Sequence, residues 1–252
     1  MFTAVVAVSF TFAALGQSGQ PTASKSRQPV LVELFTSEGC SDCPPADALL
    51  ARLDATQFVP GAQAIVLSEH VTYWNRLGWR DPFSFDAMTE RQEHYVARFG
   101  LESSYTPQLV VDGAEQVVGN DAAAVTGAVA RAVANPKTKL AIGDAHWTGG
   151  AIQFSVHGVV RSGETLSAAV AEDATRSEVA RGENAGRTLH HIAVVRVLKD
   201  FGSNATDGRS LRLTGDILLH PDRTSGPVRL VVFLVDRKTG HVTAVAEQSL
   251  NW

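Results

Sequence analysis

Cys40 and Cys43 are the only cysteines in the 252-residue chain, and their Cys-x-x-Cys spacing allows the two sulfurs to close on each other. The thiolate is the form of cysteine that attacks disulfides, and it is favoured where a helix begins, because unpaired backbone N–H groups and the positive end of the helix dipole lie there. Pro44 and Pro45 mark such a start, since proline is tolerated in a first turn and breaks a helix interior. Ser41 or Asp42 can cap the helix. On this reading Cys40 stands exposed just ahead of the helix as the attacking thiol, and Cys43 falls in the first turn as the resolving thiol. A zinc site needs further ligands at suitable spacing, and no second Cys pair exists. A static structural disulfide is the alternative use, although so short a loop gives it little entropic stabilisation.

The elements that must position this pair follow from pattern. An apolar run over residues 30–35 precedes the motif and an apolar helical pattern follows it, giving strand, turn, helix. Residues 64–68 read as a short buried strand and 84–99 as a helix capped by Ser84 or Asp86. Residues 108–112 and 115–118 read as strands around the Asp112-Gly113 hairpin signal. Residues 121–135 read as a helix with Asp121 at its N-cap and Pro136 beyond its end. The order is βαβαββα. From Thr138 the pattern changes to eight short alternating strands, which suggest an antiparallel sandwich, with residues 182–186 as an exposed loop. The expected division is residues 1–28 as signal peptide and linker, 29–137 as an α/β domain and 138–252 as an all-β, sandwich-like domain.

The segment ELFTSEGCSDCPPAD resembles the active-site strand and helix of the thioredoxin superfamily. Together with HVTYWNRLGW, YTPQLVVDG and GRTLHHIAVVRVL, it resembles more closely a family of predicted secreted bacterial thioredoxin-like proteins whose function is not established. The likeness runs from about Val30 to near the C-terminus and implies that residues 29–137 are a thioredoxin-like domain. It also implies that Thr106-Pro107 is a cis peptide bond lying against the two cysteines, and that Glu33 serves the resolving thiol as proton acceptor. A buried carboxylate with a raised pKa suits that work, whereas a glutamate at the rim of the strand does not.

His70, Tyr73, Trp74 and Trp79 lie in the loop directly after the second strand. In a parallel pair that loop opens on the same sheet edge as Cys40, so these side chains and Thr106 are candidates for a substrate-facing wall. The aromatics can instead fill the loop's own small core. His70 also raises a rival: Cys40, Cys43 and His70 could hold soft copper, as in thioredoxin-like copper chaperones, although those have a longer Cys spacing. His190 and His191 are strand neighbours that point to opposite faces, so they are not expected to share a metal.

A net charge of -4 without a Lys/Arg cluster argues against nucleic acid or an anionic membrane as the main partner. Residues 2–16 are apolar but too short to span comfortably, which suggests a signal peptide, a periplasmic or secreted protein, and no stable membrane span after processing. No cofactor fingerprint occurs. The expectation is an exported thiol-disulfide oxidoreductase acting on protein or small-molecule thiols, with a redox partner the sequence does not name. A non-enzymatic binding protein with a static disulfide is the alternative.

Overall fold

A computed structural model describes residues 27–202, 209–219 and 226–250. The expected signal segment lies almost wholly outside them. Among the described residues no helix is long and apolar enough to cross a membrane.

Strand β1 (Gln28–Thr36) is buried from Val30 onward because it runs through the middle of a large sheet with layers on both faces. Helix α1 (Cys43–Thr56) has prolines in its first turn and no side-chain cap on Asp42, so proline geometry rather than capping sets its start. Strand β2 (Ala62–His70) pairs parallel to β1. A loop with a short 3-10 turn at Asn75–Leu77 then leads to helix α2 (Asp86–Phe99), which Gly100 ends at φ 65°. Hairpin β3 (Gln108–Val111) and β4 (Glu115–Val118) precedes helix α3 (Ala122–Val133). There the Asp121 carboxylate accepts from the Ala123 and Ala124 N–H groups, the expected N-cap. The order βαβαββα is therefore present.

Among the described residues nine strands follow: β5 (Leu140–Thr148), β6 (Ala151–Val160), β7 (Glu164–Glu172), β8 (Thr175–Glu178), β9 (Thr188–His191), β10 (Val194–Asp200), β11 (Arg209–Leu218), β12 (Val228–Asp236) and β13 (Val242–Leu250). Residues 189–198 do not run as one strand: the chain breaks after His191, where Ala193 takes φ 49° and divides β9 from β10. The break sends the two pieces to different sheets.

The chain is a mixed α/β protein. One eight-stranded sheet runs β13-β12-β7-β10-β2-β1-β3-β4, a second runs β11-β6-β5, and β8-β9 form a separate hairpin. The expected boundary near residues 135–138 does mark a change from α/β to all-β chain. It does not divide the sheet. The β2 edge is taken by β10, through the Val194–Ser68 pair and an N–H of Ser68 donated to the Ala193 carbonyl at 2.8 Å. Among the described residues β5, β6 and β11 form the second sandwich layer, packing Ile152, Phe154, Val156 and Ile217 against Val170, Leu230 and Val232. The main core likewise joins both halves, with Leu34, Leu50 and Val66 in one cluster with Ala169, Val195, Val231 and Phe233.

Candidate functional site

Strand β1 delivers a tight turn into α1. Within it the Cys40 N–H donates to the Ser37 carbonyl at 3.1 Å and the Cys43 N–H to the Cys40 carbonyl at 3.3 Å. The two sulfurs form a disulfide with Cα atoms 5.4 Å apart. Contrary to expectation, Cys40 is not exposed: its accessibility is 1% and that of Cys43 is 0%. The cover comes from the β8-β9 hairpin, far along the chain. Asn184 Nδ2 donates to the carbonyls of Glu38 and Cys40, both at 2.9 Å. Glu183 Oε2 accepts from the Ser41 N–H at 3.0 Å. Arg187 donates to Asn184 Oδ1 at 2.8 Å and so fixes the amide's orientation. The loop read as exposed is exposed at residues 182, 183, 185 and 186, but Asn184 within it is fully buried and its hydrogen bonds make the loop the lid of the motif. In sequence its asparagine between glycines carries only a turn signal.

Beneath the lid lies a cluster of ionisable side chains. Alternation along β9 exposes His190 and buries His191, as the opposite-face argument requires. His191 Nε2 lies 3.2 Å from Glu38 Oε1, and its Nδ1 lies 3.5 Å from Asp47 Oδ2. Burial alone would lower the His191 pKa, but its contacts with Asp47 and Glu38 outweigh this and push it up to about 10, so the ring is an imidazolium at neutral pH. Glu38 also accepts from Trp79 Nε1 at 2.7 Å, and Asp47 from the Thr36 hydroxyl at 2.9 Å. Asp81 Oδ2 meets His70 Nδ1 at 2.7 Å and the Glu38 N–H at 2.9 Å. Burial would raise the Asp81 carboxyl, yet His70 and the N–H groups of Glu38 and Phe83 hold it below its ordinary value. The rings of His70 and His191 meet edge-on with centroids 4.7 Å apart.

The other expected site residues divide. Thr106-Pro107 is a cis peptide bond. A Cβ placed on Gly119 would meet Leu34, Pro107 and Ala46, so Pro107 and the first turn of α1 converge around that glycine. Trp74 Nε1 donates to the Thr106 hydroxyl at 2.8 Å, which joins two of the expected wall residues beside the cis bond. Trp79 turns to Glu38, and fully buried His70 turns to Asp81, so neither stands as a free wall.

Glu33 is buried, and the partners of its carboxylate lie on α2. Its neighbour Leu34 faces α1, so strand alternation directs Glu33 to the α2 side. There Arg91 Nε and the Tyr95 hydroxyl both donate to it at 2.6 Å. Burial and Glu33 together raise the Glu69 carboxyl well above its ordinary value. The acids on the cysteine side are Glu38, two residues before Cys40, and Asp47, four residues and one helical turn past Cys43. Asp47, Glu38, Asp81, His191 and Asn184 were not assigned as site residues from sequence. Glu38 and Asp47 carry a signal in their closeness to the motif in sequence, and Asp81, His191 and Asn184 carry no such signal. Among the described residues no group of three His, Cys, Asp or Glu side chains is arranged to hold a metal ion, so the copper reading gains no support.

Three solved structures resemble the chain to different extents. A crystal structure of a protein from Agrobacterium tumefaciens aligns with a TM-score of 0.65 at 22% identity, covering 90% of this chain and 96% of that one. At that identity the likeness concerns the fold alone. OgpA from Akkermansia muciniphila aligns at a TM-score of 0.26 and 13% identity, over 46% of this chain and 29% of that one. A beta-glucosidase from Kluyveromyces marxianus aligns at 0.24 and 14%, over 46% and 14%. Neither alignment bears on fold or activity. No curated protein matches the chain. Residues 31–235 match the family described as protein of unknown function (DUF1223), and the chain belongs to that family.

Proposed function

We propose that the protein is an exported, thioredoxin-like thiol-disulfide oxidoreductase whose Cys40–Cys43 pair works beneath the β8-β9 lid. The observation that carries this reading is a Cys-x-x-Cys disulfide at a helix start, and the convergence of Pro107 and Ala46 of that helix's first turn around Gly119 supports it. The βαβαββα order supports the thioredoxin-like assignment, and the disulfide suits an oxidising compartment such as the periplasm.

In the reduced protein the Cys40 thiolate attacks one sulfur of a substrate disulfide. A Cys40–substrate bond forms, and the other substrate sulfur leaves as a thiolate that takes a proton. Cys43 then attacks Cys40 Sγ, closes the protein disulfide and releases the second thiol. The substrate gains the two electrons that the cysteine pair loses, and a redox partner of thiol-disulfide type restores the starting state. In this reading Asp47, one helical turn past Cys43 on α1, takes the Cys43 proton, and the nearby His191 imidazolium balances the carboxylate. Proteins and small molecules bearing thiols or disulfides are the substrate class. The lid must lift for a substrate sulfur to reach Cys40.

One observation favours a second reading, a static disulfide in a binding protein: both sulfurs are buried. Trapping separates the two. Cys43→Ser should accumulate mixed disulfides with partners, and Cys40→Ser should not, as read on non-reducing gels and by mass spectrometry. If neither variant traps a partner and the wild-type pair stays oxidised in a physiological thiol buffer, the static reading replaces the enzymatic one.

A further inference from the structure

Beyond the carboxyl end of β2, where ligands commonly bind in sheets with parallel strands, lies a cleft of about 810 Å³ between the 72–86 loop and β10. Arg76, Arg80 and Arg196 line it, together with the rings of Phe83 and Phe85. Three guanidinium groups around one concavity are unusual in a chain with a net charge of -4. Asp81 and Asp86 line the same cleft, so the case for an anionic ligand rests on which of the three guanidinium groups these carboxylates and Glu172 leave without an ion pair.

Of the two acids that share the cleft, Asp81 is buried and engaged through both oxygens, and Asp86 is exposed and has no basic partner within ion-pair distance among the described residues. Asp81 gives one oxygen to His70 and the Glu38 N–H, and the other to the Phe83 N–H. Asp86 accepts from the Thr72 hydroxyl at 3.1 Å. Arg196 lies 3.7 Å from Glu172 and stacks 5.3 Å from the Phe83 ring centre, which fixes its plane at the wall. Among the described residues no carboxylate is within ion-pair distance of Arg76 or Arg80, and both are exposed at the mouth. The volume is that of a site for a small organic molecule, and planar guanidinium forks match carboxylate and phosphate oxygens in pairs.

We propose that this cleft binds a small organic polyanion, with two or more carboxylate or phosphate groups held by Arg76, Arg80 and Arg196 and its body against Phe83. The site is separate from the disulfide and does not depend on the redox reading. The Phe83 ring nevertheless packs on both buried histidines, with centroids 5.5 Å from His70 and 5.7 Å from His191. A ligand there touches the wall of the cysteine site.

Calorimetric titration of the full chain with citrate and, separately, inorganic pyrophosphate tests the proposal at an ionic strength of about 0.15 M, where loose surface attraction is screened. Saturable one-to-one binding of either probe is expected, with citrate preference indicating a polycarboxylate and pyrophosphate preference a phosphorylated ligand. The Arg76→Ala, Arg80→Ala double variant should weaken it by about tenfold or more, the equivalent of 1.4 kcal/mol. Arg52→Ala, on α1 and stacked on Phe58, should leave it unchanged. The proposal is overturned if neither probe binds saturably, if the double variant binds as the wild type does, or if Arg52→Ala loses as much affinity.

Discussion

His191 shows how one side chain ties distant parts of the chain together. It comes from β9, yet its ring lies between Glu38 ahead of the cysteine motif and Asp47 one turn behind Cys43. Its pKa is about 10 in the folded protein and 6.5 when unperturbed, so the folded state binds the proton more tightly than the unfolded chain does. The resulting stabilisation is complete below about pH 6.5 and is lost as pH rises through about 10. Urea unfolding of wild type and His191→Gln should therefore differ most near the lower limit and converge toward the upper one. A difference that does not change across that window would show that the ring is not held as an imidazolium. The same substitution leaves Glu38 and Asp47 uncompensated beside the cysteines, which disfavours thiolates and makes the pair more reducing. Redox titration against thiol buffers should find a lower potential, with about 30 mV for each 1.4 kcal/mol of lost thiolate stabilisation.

The β8-β9 hairpin is the element whose role the sequence concealed. Strands and helices on either side of the motif were legible because apolar periodicity, prolines and an N-cap are local signals, and β1, α1 and α3 formed close to where those signals stood. The hairpin's docking onto Cys40 is not local. It depends on an amide 144 residues away in the chain meeting a backbone carbonyl, and nothing in the spacing of Asn184 announces that. The resemblance gives Glu33 a role at the cysteines, while strand alternation directs its carboxylate to partners on α2. Asn184→Ala removes the donor from two carbonyls of the cysteine turn at a cost of about 1–3 kcal/mol. The lid should then open more often, and dithiothreitol should reduce the Cys40–Cys43 bond roughly tenfold faster or more, measured by thiol release. An unchanged rate would show that the hairpin does not limit access.

At the scale of the molecule, the change from α/β to all-β pattern near residue 138 was legible, but the continuity of the sheet across it was not. A strand's pattern reveals that both its faces are buried and does not name its edge partner. The core makes the two halves interdependent: Phe233, fully buried on β12, belongs to the cluster containing β1 and β2, and Arg91 of α2 lies 5.4 Å from its ring centre. Phe233→Ala should therefore destabilise the whole chain by about 3–5 kcal/mol in one transition followed alike by helical and β signals. Residues 28–137 alone provide a harsher test. That fragment would lose Ala169, Ala171, Val195, Val231 and Phe233 from its core and bare the edge of β2 where Ser68 meets β10. An unpaired edge next to an exposed apolar face favours association over folding. Circular dichroism and size-exclusion chromatography should find the fragment poorly folded or aggregated, with its cysteines open to thiol reagents once the Asn184 clamp is gone. A monomeric fragment that melts cooperatively would mean that the β-rich half is a lid and a neighbour, and that the first seven elements suffice for the fold that holds the disulfide.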